Sequence, residues 1–209
     1  MSPGPTFDRV YLALKEQVTD GSFAPGDHLE PAAIGEGFNA SITPVRDALH
    51  RLVGERIVEA PRNDGFRVPA PTEAELRDLY GWNRDLLDLA LRRRSPASGG
   101  AALYAARQGD MPGYQAALTA ADLFRRVARR SGNPEHEAAV ELLNDRLSAM
   151  RIVEARLFDD VGEELDALRA LLSEEDLSGL RRAISVYHRR RQRAAPELLI
   201  ASRLPREPS

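Results

Sequence analysis

Apolar positions recur at helical spacing through most of this chain and alternate only briefly. Phe7, Val10, Tyr11, Leu14 and Val18 fall at i, i+3, i+4, i+7 and i+11, which predicts a helix with one apolar face ending near Asp20-Gly21. After the Ala24-Pro25-Gly26 turn, Leu29 leads into a short helix from about Pro31 to Phe38, with Ile34 and Phe38 inward, and an Asn39-Ala40 turn separates it from a third. There Thr43 is the expected N-cap and Pro44 the first helical residue, where its missing N–H is no loss. Val45, Ala48, Leu49, Leu52 and Val53 form one apolar stripe, leaving Arg46 and His50 outward. Two helices about a short turn make a helix-turn-helix. Ile57-Val58-Glu59-Ala60 and Phe66-Arg67-Val68 are short β-like runs flanking Pro61-Arg62-Asn63-Asp64-Gly65, a hairpin-turn signal that predicts a wing.

Beyond Val68 no strand pattern appears. Pro69-Ala70-Pro71 reads as a stiff linker, and Thr72-Glu73-Ala74-Glu75 as a capping box opening a long helix to about Arg93, with Leu76, Leu79, Tyr80, Leu86, Leu87 and Ala90 inward. Breaks at Ser95–Gly100, Gly109–Pro112 and Ser131–Pro134 divide the remainder into helices near 101–108, 113–130, 135–158, 161–172 and 174–195. The expectation is a mainly α protein. Residues 1–69 form a winged helix-turn-helix of three helices and a β-hairpin, 70–72 a linker, and 73–205 an all-α antiparallel bundle.

Charge narrows the chemistry. The chain of 209 residues carries a net charge of −3. Residues 1–70 hold seven Lys+Arg against ten Asp+Glu, so any DNA binding relies on a local patch, expected at Arg46, Arg51, Arg62 and Arg67, rather than on bulk attraction to phosphates. There is no cysteine, hence no thiol nucleophile and no zinc-thiolate site. No apolar run is long enough to span a membrane, and Met1-Ser2-Pro3-Gly4-Pro5 lacks the regions of a signal peptide, so a cytoplasmic location is expected.

The run GSFAPGDHLEPAAIGEGFNASITPVRDALHRLVGERIVEAPRNDGFRVP resembles the winged-helix domain of GntR-family regulators. The resemblance covers nearly all of residues 7–69 and rests on the Pro25-Gly26 turn with Leu29, on Thr43–Leu49 and on the wing-tip glycine Gly65. It implies that Ser41, Thr43 and Arg46 meet phosphates or base edges and that Gly65 brings the wing, with Arg62, close to the minor groove. Arginine bridging guanine O6 and N7, and hydroxyls binding phosphate oxygens, supply the chemistry. Ile42 departs from the family pattern, which has arginine there, and suits a thymine methyl. For Arg46 the competing reading is a salt bridge to Glu36.

The helical remainder resembles the FadR-type effector domain of the same family, often called FCD, clearest at TEAELRDLY and at RRVARRSGNP. Many members bind a divalent metal through an Asp and three His. Counting from Ser131-Gly132-Asn133 places Ala120, Phe124, Leu165 and Tyr187 or His188 at those positions, so the resemblance implies that the metal site is lost and no cofactor is expected, a metal held by His188 and carboxylates such as Asp122 being the lesser alternative. Asn83, Phe124, Asn144, Arg151, Tyr187 and His188 are the candidate effector residues. Arg151 is placed to clamp a carboxylate, such as that of an organic acid, or to pair with Glu154 or Asp145. Along 135–158, Leu143, Leu147, Met150 and Leu157 supply the inward stripe. The arginine clusters 92–94, 125–130 and 189–191 read as solvated faces or dimer contacts.

These readings converge on a sequence-specific transcription regulator, a repressor by expectation, whose dimer binds a pseudo-palindromic operator in double-stranded DNA and senses a small molecule. An effector-blind dimeric DNA-binding or interaction module is the alternative. A metal-dependent enzyme lacks its constellation, since His136-Glu137 has no second histidine and neither a Gly-x-Ser-x-Gly nor a phosphate-binding glycine loop occurs.

Overall fold

A computed structural model describes residues 5–92 and 113–204, and the chain divides into two compact units, Met1–Pro71 and Thr72–Ser209. The helix expected near 101–108, its flanking breaks and Arg93-Arg94 lie outside the described residues.

In the first unit, α1 spans Pro5–Thr19, α2 Pro31–Phe38 and α3 Ile42–Gly54. The stripe of α1 (Val10, Tyr11, Leu14, Val18) packs with Val45, Ala48, Leu49 and Leu52 of α3, closed by Leu29, Ile57, Val58 and Val68. Tyr11 donates its hydroxyl to Glu55 Oε1 at 2.6 Å and Lys15 donates to Oε2 at 3.0 Å, tying α1 to the end of α3. Burial alone would raise the Glu55 carboxyl, and these two bonds more than offset it, holding its pKa below the ordinary glutamate value.

The start of α3 differs from expectation. Ser41, extended at φ −71° and ψ 163°, is the N-cap, without a side-chain cap bond, so Thr43 and Pro44 are the second and third helical residues. Proline is tolerated there because first-turn amides lack an intrahelical acceptor in any helix. The wing is also leaner than two strands. Glu59 and Arg67 exchange both backbone hydrogen bonds at 2.9 Å, and Leu29 N–H donates to Phe66 at 2.8 Å; the bridges among the described residues are single-residue ones.

The second unit contains α4 (Glu73–Arg92), α5 (Tyr114–Arg129), α6 (Pro134–Leu157), α7 (Val161–Ser173), α8 (Leu177–Arg193) and α9 (Ala195–Ser202). The capping box forms as predicted: Glu75 Oε2 accepts from the Thr72 N–H and hydroxyl, both at 2.8 Å, and the Glu75 N–H donates to Thr72 Oγ1 at 3.3 Å. Asn133 and Asp176 cap α6 and α8 by accepting from Glu135 and Gly179 N–H.

The helix expected over 174–195 is two helices with a later start. Glu175 in left-handed backbone (φ 57°) and the Asp176 cap delay α8 to Leu177. Pro196 cannot donate to a continuing helix, so a new one begins at Ala195. Leu198 of α9 is buried with Leu76, Tyr80, Leu147, Met150 and Val153. Leu157 is not part of the inward stripe: it is 37% exposed, whereas Arg151, Ile152, Val153 and Glu154 are buried, because α6 is covered on more than one side by α4, α5 and α9.

Candidate nucleic-acid interface and buried polar site

Helix α3 turns its apolar residues into the core and leaves Ser41, Ile42, Thr43, Arg46 and His50 exposed at its N-terminal half. The turn before it is tight. Asn39 adopts the left-handed conformation (φ 48°), Ala40 N–H donates to the Gly35 carbonyl at 2.9 Å, and a Cβ on Gly35 would stand 2.8 Å from the Ala40 oxygen. Only glycine lets α2 approach the turn this closely. At the wing, Asp64 N–H donates to the Pro61 carbonyl at 3.2 Å, Gly65 takes φ 68°, and Arg62 and Gly65 are exposed. The His50 ring packs edge-on to Phe66 with centroids 5.0 Å apart, joining helix to wing.

Of the four arginines expected to form a cationic patch, two are committed elsewhere. Arg51 lies 4.0 Å over the Tyr11 ring and 3.4 Å from Glu55, while Arg67 pairs with Glu59 at 3.1 Å and Asp64 at 3.6 Å. Arg46 and Arg62 engage no carboxylate among the described residues, so the expected alternative for Arg46, a bridge to Glu36, is not formed. The exposed surface thus offers two cations, two hydroxyls, an apolar Ile42 side chain and the first amides of α3, a combination suited to phosphates and base edges.

The second unit buries a polar cluster. Asn83 from α4, Phe124 from α5, Asn144 and Arg151 from α6, and Tyr187 and His188 from α8 are all buried and meet at its centre. Arg151 donates through Nη1 to Asn144 Oδ1 at 2.9 Å and through Nη2 to Asn83 Oδ1 at 3.5 Å, and its guanidinium lies 5.1 Å from the Phe124 ring. Asn144 in turn donates to the Ala121 carbonyl at 3.0 Å. Asn83 meets side chains of α6 and α8 through its Oδ1.

Arg151 forms no ion pair among the described residues, and its Nε–H reaches no acceptor. The expected salt bridge to Glu154 or Asp145 is replaced by two neutral amides. Glu154 is taken by others: it accepts from Tyr80 at 2.6 Å, Tyr187 at 3.2 Å and Arg191 Nε at 2.9 Å. Arg191, fully buried, also reaches Glu164 at 2.6 Å and lies 3.4 Å over the Tyr187 ring. Burial, reinforced by the Glu154 charge, raises the Tyr80 and Tyr187 hydroxyls well above their ordinary values, so both remain donors to that carboxylate.

His188 sits beside this cluster with Nδ1 2.8 Å from the Ile184 carbonyl and Nε2 2.8 Å from the Asn83 amide. Burial first, and then the nearby arginines, push its pKa down to about 3, so the ring is neutral at neutral pH. A neutral ring has one N–H, so it donates to only one of these two oxygens. His136, by contrast, faces the Leu86 carbonyl at 2.7 Å from a partly buried position.

Sequence reasoning named six members of this cluster, placed Tyr80 inward and offered Glu154 only as a partner of Arg151, and it missed Glu164 and Arg191. Arg191, expected on a solvated or dimer-contact face, is interior, as is Arg125, whose Nε lies 3.2 Å from Glu141. Spacing held the missing signal: Arg191 follows Tyr187 by four residues and His188 by three, and Glu154 follows Arg151 by three, which places each on its neighbour's helix face.

A short turn between two helices, an exposed second helix and a bridged wing define a winged helix-turn-helix. Residues 6–68 match the family described as bacterial regulatory proteins, gntR family, and the first unit is a GntR-family domain. An uncharacterized HTH-type transcriptional regulator, YdhC of Bacillus subtilis (strain 168), is 26% identical over 89 residues, 43% of this chain and 40% of that one. The HTH-type transcriptional repressor GlaR of Escherichia coli (strain K12) is 33% identical over 70 residues, 34% of this chain and 32% of that one. The chain thus spans less than half the length of these curated relatives. The fold of the whole chain is shared more widely: a GntR transcriptional regulator from Rhodococcus sp. RHA1 superposes with a TM-score of 0.71 at 17% identity, over 91% of this chain and 97% of that one. The E. coli McbR/YncC structure does so with a TM-score of 0.64 at 22% identity, over 93% and 99%.

Proposed function

We propose that the protein is a sequence-specific DNA-binding transcription regulator of the cytoplasm, not an enzyme. In this reading residues 1–69 read an operator, and residues 73–205, a domain of FCD type, dimerise and sense a small acidic molecule. The observation that carries the DNA reading is the exposed N-terminal half of α3 in a GntR-family domain. Ser41 and Thr43 hold phosphates, Arg46 reads a base edge, Ile42 meets a thymine methyl, and Arg62 and Gly65 bring the wing to the minor groove. A dimer presents two such units to a pseudo-palindrome. Repression is the sign inferred, in line with the name of the E. coli relative.

Footprinting of the promoter upstream of its own gene tests this reading. Arg46→Ala is expected to weaken specific binding by roughly 1–3 kcal/mol if the side chain reads a base. Absence of any protected site at moderate salt with the wild-type protein overturns the proposal.

The sensing reading rests on Arg151, a buried cation whose described partners are neutral amides and a ring. Leaving a charge buried without a counter-ion is costly, so the site favours a ligand that brings a carboxylate. The donor set does not suit a divalent metal: Ala120, Phe124 and Leu165 are packed apolar core, both His188 nitrogens face oxygens, and Glu154 already receives three donors. Thermal-shift titration with a panel of organic acids and divalent ions checks it. Saturable stabilisation by an acid, and none by the ions, is expected; a domain that responds to no acid is the effector-blind module instead.

A further inference from the structure

Three large hydrophobic side chains stand in solvent on neighbouring helices of the second unit: Trp82 (52% exposed) and Leu89 (50%) on α4, and Val186 (56%) on α8. They are threaded among charges of opposite sign. On α4 the exposed residues Asp78, Trp82, Asp85 and Leu89 follow at i, i+4, i+7 and i+11; on α8 Arg182, Val186, Arg189 and Arg193 follow at the same intervals. One stripe is acidic and apolar, the other basic and apolar.

The two helices are antiparallel, and their register is fixed by printed contacts along the seam. Arg77 Nε donates to the Gln192 carbonyl at 3.0 Å, Asn83 meets His188 at 2.8 Å, and Arg181 pairs with Asp88 at 2.7 Å. This register sets Asp78 level with Arg193, Trp82 with Arg189, Asp85 with Val186 and Leu89 with Arg182. At about 100° of rotation per residue, each stripe lies roughly a quarter turn beyond the seam in the same rotational sense. Because the helices run oppositely, both stripes turn to one side and form a single face.

The charges on this face are largely unspent. Asp78 forms no ion pair, and Arg189 and Arg193 engage no carboxylate, among the described residues, while Arg182 is one of the groups that hold the Asp176 carboxyl below its ordinary value. Asp85 pairs with the adjacent Arg84 at 2.8 Å, and Arg189 Nε donates to the Ser185 carbonyl at 3.2 Å. By contrast Arg181, Arg190 and Arg191, which point elsewhere from the same helix, all have carboxylate partners.

We infer that this face docks a second copy of the chain, about a two-fold axis running parallel to α4 and α8 along their seam. The inference rests on the dimer reading above and names its surface. Rotation about that axis lays α4 of the second copy over α8 of the first with every level preserved. Asp78 of one copy then meets Arg193 of the other, and the Trp82 ring covers the Arg189 guanidinium. Asp85 settles between Arg182 and Arg189, over Val186, and Leu89 packs on the Arg182 stem. The symmetry repeats each contact, as an isologous interface must. A two-fold axis across the helices would instead set α4 on α4 and acid on acid, so the charge pattern selects one of the two arrangements.

Charge reversal in the full-length chain tests the inference by sedimentation. Asp78→Arg with Asp85→Arg places base on base in its homodimer, and Arg189→Glu with Arg193→Glu places acid on acid. Each double variant is expected to self-associate about 100-fold or more weakly than wild type, with unchanged circular dichroism. An equimolar mixture restores complementary stripes on both sides of the axis and is expected to form a heterodimer with wild-type affinity. Trp82 is the only tryptophan, so its emission should shift to the red as the wild-type dimer is diluted apart. A wild-type dimer whose emission ignores dissociation, or variants that associate as wild type or are not rescued by mixing, overturns this surface while leaving a dimer in place. A wild type that stays monomeric at micromolar concentration overturns the dimer reading itself.

Discussion

Arg151 and Arg191 occupy the same interior, are equally hidden from water, and live by opposite rules. Arg191 is held between Glu154 and Glu164 with an aromatic face beneath it, whereas Arg151 has two amides, the Phe124 ring and an Nε–H with nothing to bond. The first pairs its charge with carboxylates of the chain, although Arg191 Nη2, like Arg151 Nε, reaches no acceptor. The second buries a charge with no carboxylate bonded to it among the described residues. The contrast separates a cation paired with carboxylates inside the bundle from one held only by neutral groups among the described residues.

The comparison breaks most visibly at Arg191. Arg191→Met strands Glu154 and part of Glu164 without their cation, and a loss of about 3–5 kcal/mol in urea unfolding of the chain is expected. Removing the other arginine has a different sign. Arg151→Met deletes a buried charge that has no counter-ion, so the ligand-free protein is expected to melt no lower than wild type, while any stabilisation by organic acids disappears. If both substitutions destabilised equally, the two sites would be alike and the sensing assignment would fall.

A smaller effect appears on acidification. The His188 pKa is depressed from its ordinary value to about 3, so the unfolded chain takes up that proton first. Its contribution to stability is therefore complete above about pH 6.5 and is lost as pH falls toward 3. His188→Gln should flatten the stability curve in that window by one proton's slope. Saturation with an acid bound at Arg151 should flatten it as well, because the anion favours a charged His188 ring.

Much of the fold was legible from local rules. The stripe of α1, the Pro31 start of α2 and the Thr72–Glu75 box form where the sequence predicts, and α6 begins at Pro134, one residue before its expected start. The first turn of α3 slipped by a residue or more because Ser41, Thr43 and Pro44 offer competing starts, and no side-chain bond chooses among them. The six cluster residues were found through their places on helix faces, but their partners were not. Glu154, Glu164 and Arg191 look like surface charges in a list of residues. Their burial is decided by helices distant in sequence closing over them, which local spacing does not encode. Charge counting failed at the wing for the same reason, since Glu59 and Asp64 neutralise Arg67 only once the chain has folded back.

The missing methyl at Gly35 has a genetic consequence. Because a Cβ there would press on the Ala40 oxygen, 2.8 Å away, the start of α3 must shift outward to admit alanine. Arg46 and its neighbours would ride with it, keeping their chemistry while losing their address on the duplex. A selection for regulator-null alleles should therefore return changes at this interior glycine, in a protein whose exposed α3 side chains are all intact.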